Sequence, residues 1–160
     1  MITIVKNKSV EKNYIAMINV IKDFLDTEDD IIANLANISA IINCYVEKLN
    51  WVGFYILKDE DLVLGPFQGN PACIRIKAGA GVCQYAVRTN KTVNVPNVNE
   101  FEGHIACDSK TLSELVVPVY KNNNIYAILD LDSPFLNRFS ALEENYISKV
   151  CSLISDFLSK

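Results

Sequence analysis

The chain has no apolar run approaching the roughly 20 residues that span a bilayer. Its opening, Met1 to Lys6, lacks the charged segment, apolar run and cleavage site of a secretory leader. These absences point away from membranes and make the cytoplasm the expected address. There is no Lys/Arg-rich block either. Fifteen basic residues stand against nineteen acidic ones, for a formal net charge of −4, which argues against a general nucleic-acid binder. Histidine occurs once, at position 104. The five cysteines are odd in number, which disfavours a structural disulfide framework in a cytoplasmic protein. No internal repeat, low-complexity tract or linker interrupts the sequence. What is present is 160 residues, half apolar and 21% charged, enough for one globular domain with a sizeable core.

Periodicity divides the chain into elements. Ser9 is placed to cap a first helix running to about Leu25, with Val10, Tyr14, Met17, Ile18, Ile21, Phe24 and Leu25 at helical spacing. Thr27 with Asp30 resembles a capping box for a second helix, whose stripe is Ile31, Leu35, Ile38, Ile42, Tyr45 and Leu49. Cys44, beside that stripe, reads as a small hydrophobe in or near the core. From Trp51 to Leu57 the period drops to two, so Trp51, Gly53, Tyr55 and Leu57 share one face and Val52, Phe54 and Ile56 the other. A second strand is expected over 62–64, a turn-rich stretch over 65–71 and a third strand over 72–76. Gly79 and Gly81 precede a short helix from Val82 to about Thr89. They lack the Lys-Ser/Thr of a phosphate loop, so helix entry accounts for them more simply than a nucleotide site does.

Thr92 to Val95 reads as a brief strand, followed by a long loop from Asn97 to Thr111. Residues 114–120 and 125–132 read as a hairpin, with Pro118 marking an edge or a bulge. Ser140 and Glu143 form a capping box for a last helix, on which Cys151 is expected in the core. Helices at both ends, packed on one side of a mostly antiparallel sheet, make an α+β domain.

Strand alternation places the polar groups. Asp130 and Asp132 point to one face of their strand and Leu129 and Leu131 to the other, while Glu114 shares its face with Val116 and Pro118. Three acids are thus expected to converge beside Trp51 and Tyr55, unless Asp132-Ser133-Pro134 is merely a solvated turn. Such a pocket suits a small cationic or zwitterionic ligand. Carboxylates crowded together cannot all ionise, which keeps one as a general acid.

The long loop carries Gly103-His104-Ile105-Ala106-Cys107-Asp108, a thiol among small residues. Cys107 reads as a nucleophile, with Cys73 and Cys83 as redox partners. It would end as a sulfenic acid, and a second thiol would condense with it to a disulfide. His104 is either a base or orienting group, or simply packed. A zinc site of Cys73, Cys83 and Cys107 is the rival, but their spacing lacks the usual short pairs.

Six segments together resemble free methionine-(R)-sulfoxide reductases, which are stand-alone GAF-domain enzymes. They are Asn50 to Tyr55, Gly65 to Cys73, Gly81 to Cys83, Gly103 to Asp108, Ser113 to Pro118 and Leu129 to Pro134. The likeness is strongest over 50–134 and implies a single GAF domain over 1–160. It implies reduction of the R epimer of the free amino acid's sulfoxide, with a disulfide as acceptor. Cys107 would be the nucleophile, and either Cys73 or Cys83 the resolving thiol. Trp51, Tyr55, Glu114, Asp130 and Asp132 match the family's substrate-pocket positions. The resemblance further implies no metal or organic cofactor, a thioredoxin-type reductant and a possible homodimer. A GAF module that binds a small molecule or senses redox state without turnover is the alternative.

Overall fold

The computed structural model of the chain describes residues 4–105 and 108–160. Helix α1 (Val10–Thr27) starts at Ser9, whose hydroxyl accepts from the Lys12 N–H. Helix α2 (Ile31–Tyr45) is capped by Asp30, whose carboxylate accepts from the Ala33 N–H at 2.8 Å. This corrects the expected cap. Thr27 belongs to α1, where its hydroxyl donates to the carbonyls of Asp23 and Phe24. A carboxylate at the positive end of a helix is the better placed acceptor. Cys44 is also corrected, because it is exposed. It sits two residues after Ile42, about 200° round the helix from the buried stripe.

Six strands follow: β1 (Trp51–Lys58), β2 (Asp61–Gly69), β3 (Arg75–Ile76), β4 (Val93–Val95), β5 (Ser113–Lys121) and β6 (Asn124–Ser133). They form one antiparallel sheet in the order β3-β2-β1-β6-β5-β4. Helix α3 (Gly81–Thr89) lies between β3 and β4, and α4 (Ala141–Leu158) closes the chain behind the Ser140–Glu143 capping box.

The turn-rich stretch after residue 64 proves to be strand as far as Gly69. Gly53 pairs with Phe67 and Tyr55 with Leu64, so Gly65 and Pro66 together face Phe54 as a bulge. A bulge is where a strand tolerates a proline. The third strand is only Arg75–Ile76, leaving Ala72 and Cys73 irregular. β5 is not an edge strand, since β4 lies outside it. However, β4 covers only Glu114 to Val116, so Pro118 falls where β5 is locally an edge. The β5–β6 hairpin turns through Asn122 and Asn123, both at positive φ, as a two-residue turn requires.

The sheet separates two clusters. On one face α1, α2 and α4 pack against Val52, Phe54, Leu115, Val117, Leu129 and Leu131. Cys151 belongs to this core. On the other face Trp51, Tyr55, Val116 and Ile128 meet α3 and the loops. Each large apolar side chain so buried contributes about 1.5–3 kcal/mol. The architecture is α+β, as the periodicities predict. Among the described residues no helix is long and apolar enough to cross a membrane.

Candidate active site

The face opposite the three long helices carries a cavity. Strand register builds its floor. Trp51 pairs with Asp132 and Asp132 with Glu114, so these three side chains stand in one row across β1, β6 and β5. In the next row Gly53 pairs with Asp130 and Asp130 with Val116. Gly53 has a steric task that sequence reasoning missed. A Cβ there would lie 2.3 Å from the Phe67 Cβ and 2.8 Å from the Trp51 ring. Its absence lets the indole lie flat between neighbours. Trp51 stacks on Phe67 at 5.4 Å and on Tyr55 at 5.8 Å.

All five expected pocket residues, Trp51, Tyr55, Glu114, Asp130 and Asp132, line the cavity. The solvated-turn reading of the aspartates fails, since both lie within β6, where Asp130 is 5% exposed and Asp132 is half-buried. Burial raises the pKa of all three acids well above the ordinary carboxylate range. The charge of Asp132 adds to the rise at Glu114, that of Glu114 at Asp130, and those of Asp130 and Asp108 at Asp132. The trio therefore favours its protonated forms.

Cys83, in the first turn of α3, faces the same acids. Its thiol donates to Glu114 Oε1 at 3.6 Å and Asp130 Oδ2 at 3.5 Å. Burial, then repulsion by Asp130 and Glu114, pushes the thiol pKa well up. Cys83 is thus a neutral hydrogen-bond donor. Two buried polar atoms in the cavity wall, Trp51 Nε1 and Asp130 Oδ1, have no hydrogen-bond partner among the described residues. Leaving such atoms unsatisfied costs about 1–3 kcal/mol each, so a ligand that reaches them gains by it.

Other residues complete the wall. Asp108 accepts from the Lys110 N–H at 2.9 Å and from Asn50 Nδ2 at 3.1 Å. These donors lower its pKa against the upward pull of burial, so it carries a fixed negative charge beside the neutral trio. Sequence reasoning quoted Asn50 and Asp108 within larger segments but gave them no part. An Asx side chain in a loop signals nothing until its partner comes near. His104 Nε2 lies 3.8 Å from Glu114 Oε2, and burial lowers its pKa, so the neutral imidazole is favoured. The loop that carries it is tied to α3 by the Gly81 N–H donating to the Gly103 carbonyl at 3.1 Å. Gly79 and Gly81 adopt positive φ at the helix entry, which suffices to explain them.

The expected nucleophile, Cys107, lies outside the described residues, as does Ala106. Cys73 lies in the irregular segment between β2 and β3, partly buried, and is disulfide-bonded. Cys44, Cys83 and Cys151 are free thiols. A zinc site of three thiolates at Cys73, Cys83 and Cys107 does not fit this arrangement. A disulfide sulfur supplies no thiolate, and Cys83 is held as a thiol by its carboxylate neighbours.

This sheet, with helices on one face and an acid-lined cavity on the other, defines a class. A model of the GAF domain family matches residues 24–156. The chain is 42% identical to Protein YtsP of Bacillus subtilis, over 94% of this chain and 93% of that protein. It is also 42% identical to the free methionine-R-sulfoxide reductase of Escherichia coli, over 82% and 80% of the two chains. The structure of the free methionine-R-sulfoxide reductase of Neisseria meningitidis in complex with its substrate superimposes with a TM-score of 0.94. That match is at 33% identity and covers 99% of this chain and 96% of that one. The chain belongs to the free methionine-(R)-sulfoxide reductase family of GAF-domain proteins.

Proposed function

We propose that the protein reduces free L-methionine-(R)-sulfoxide to methionine. The observation that carries this reading is the buried acid trio beside the Trp51 stack, whose crowding and burial favour the protonated forms. A zwitterionic amino acid suits the wall. The charged Asp108 attracts its ammonium group, and the first turn of α3, which no side chain caps, attracts its carboxylate. The Trp51 ring packs on the methyl group. A protonated Glu114 or Asp130 donates to the sulfoxide oxygen and makes the sulfur electrophilic.

In this reading the Cys107 sulfur attacks the substrate sulfur, and the oxygen passes to the cysteine. Methionine leaves, and Cys107 remains as a sulfenic acid. A resolving thiolate then attacks that sulfur and forms an S–S bond, as the S–O bond breaks and water departs. Cys73 is the resolving residue we favour. Its presence in a disulfide supports it, whereas Cys83 is free and its thiolate is opposed by two acids. A thioredoxin-type dithiol supplies the two electrons that restore the thiols. A cytoplasmic setting, where thiols stay reduced, accords with this cycle.

The test is turnover of the separate R and S epimers of free methionine sulfoxide with dithiothreitol. Methionine from the R epimer alone, lost on Cys107→Ser, is the expected result. No methionine from either epimer, with folded protein and reduced thiols, overturns the reading and leaves a GAF binding module.

A further inference from the structure

Tyr55 does more than furnish a wall. Its ring is 2% exposed and stacks on Trp51 inside the cavity. Its hydroxyl, however, donates to the backbone carbonyl of Cys73 at 2.9 Å. One residue on, the Ile74 carbonyl accepts from the Leu64 N–H at 3.0 Å. Two successive carbonyls of an otherwise irregular segment are therefore pinned, one to β2 and one to a side chain rooted in β1. The phenol is a dependable donor. Burial, with Asp130 the foremost of its acidic neighbours, holds its pKa far above the ordinary value, so it keeps its proton throughout the working pH range.

We infer that Tyr55 is a positioning residue for Cys73, holding the segment at the cavity so that the Cys73 sulfur meets the sulfenic acid formed at Cys107. This rests on the reaction proposed above and adds a role in its second half. The step it serves forms the Cys73–Cys107 S–S bond and breaks the S–O bond. The hydroxyl departs as water with the proton of the Cys73 thiol. No outside reductant enters until the disulfide is complete.

The substitution Tyr55→Phe keeps the ring and its stacking and removes only the hydrogen bond. Reduced protein is mixed with excess R-sulfoxide, without reductant, and quenched over time. Methionine reports the first step, thiol loss reports disulfide closure, and dimedone labelling of Cys107 reports accumulated sulfenic acid. Because Tyr55 also lines the cavity, the quantity read is the ratio of the two rates. Closure is expected to slow about tenfold or more beyond any slowing of methionine formation, with a dimedone adduct that the unsubstituted protein scarcely forms. Equal slowing of both steps, or unaltered closure, overturns the inference.

A parallel experiment uses hydrogen peroxide, which oxidises the Cys107 thiolate to the sulfenic acid and leaves as water. Closure can then be timed without sulfoxide. Slow peroxide-driven closure in Tyr55→Phe, with no methionine from the unsubstituted protein, sustains the positioning role while rejecting the reductase. Normal peroxide-driven closure in the variant rejects the positioning role whatever the substrate. Iodoacetamide labelling of Cys73 in the reduced variant checks that a folded segment has been loosened. The expected result is a several-fold faster reaction in native buffer, with the cooperative urea transition retained; an unchanged labelling rate speaks against the role.

Discussion

Glu143 lies on the helical face of the sheet at 6% exposure, and Glu114 lies on the cavity face at 5%. Burial pushes both toward the neutral form, yet they end in opposite states. Glu143 accepts from the Arg138 guanidinium at 2.9 Å, from the Tyr14 hydroxyl at 2.8 Å and from Ser140. These donors overcome desolvation and hold its pKa down at about 2. Glu114 has a thiol and two further acids for neighbours, and its pKa goes up. The lesson is that depth alone does not decide a carboxylate's charge. A cation at hydrogen-bond distance makes a structural ion pair, on which Tyr14 of α1 also closes, and acids in place of cations make a proton store. The first belongs to a core and the second to a reactive pocket.

The largest effect expected is on the helical face. Glu143→Gln leaves the half-buried Arg138 without its counter-charge and should cost about 2 kcal/mol in urea unfolding. Turnover per folded molecule should be unaltered. Equal stability of variant and parent would mean that the ion pair is not what secures α4.

Next comes the mirror substitution. Glu114→Gln swaps a neutral acid for a neutral amide of the same shape, so at about pH 4, where folded and unfolded chains both hold the proton, stability should move by less than ~1 kcal/mol. Turnover of the R-sulfoxide should drop about 10²-fold with the loss of a proton donor. A large loss of stability instead would show that Glu114 is ionised and paired.

The pH dependence separates the faces a third way. Glu143 has a depressed pKa in the fold. Its contribution is present above the unfolded value of 4.5 and is lost as pH falls toward about 2. The cavity acids have raised values. The native state then holds more protons than the unfolded chain, and stability falls as pH rises from about 4 through their elevated pKa values. Urea midpoints measured across this range should show a low-pH limb reduced by Glu143→Gln. They should also show a decline with rising pH that is reduced by Glu114→Gln with Asp130→Asn.

The smallest effects concern two cysteines that look alike in the sequence. Cys151→Ser puts a hydroxyl into the helical core and should cost about 1–2 kcal/mol. Cys44→Ser, at an exposed position, should fall within about 0.5 kcal/mol of zero.

Much of the fold was legible because periodicity is a local property. The stripes of α1 and α4, the alternation of β1 and β6 and the Ser140–Glu143 box each need only a few neighbouring residues. The misreadings share one cause. Gly65 and Pro66 are turn formers by composition, but pairing with β1 absorbs them as a bulge. Thr27 and Asp30 compete for one cap, and the end of α1 decides between them. Within the site, alternation put Asp130, Asp132 and Glu114 on one face, whereas the contribution of Asn50 to Asp108 spans 58 positions and has no local signature.

By itself, then, the sequence determined which residues could share a face, where helices begin and which side chains are able to do redox or acid–base work. Those follow from backbone geometry and side-chain chemistry within a few residues. Only the tertiary structure decided the states of those side chains. It left Glu114 among acids and gave Glu143 an arginine, turned Cys83 into a buried donor, and sent the Tyr55 hydroxyl to the Cys73 carbonyl. Protonation and positioning depend on distances across the sheet, and those distances exist only once the strands are in register.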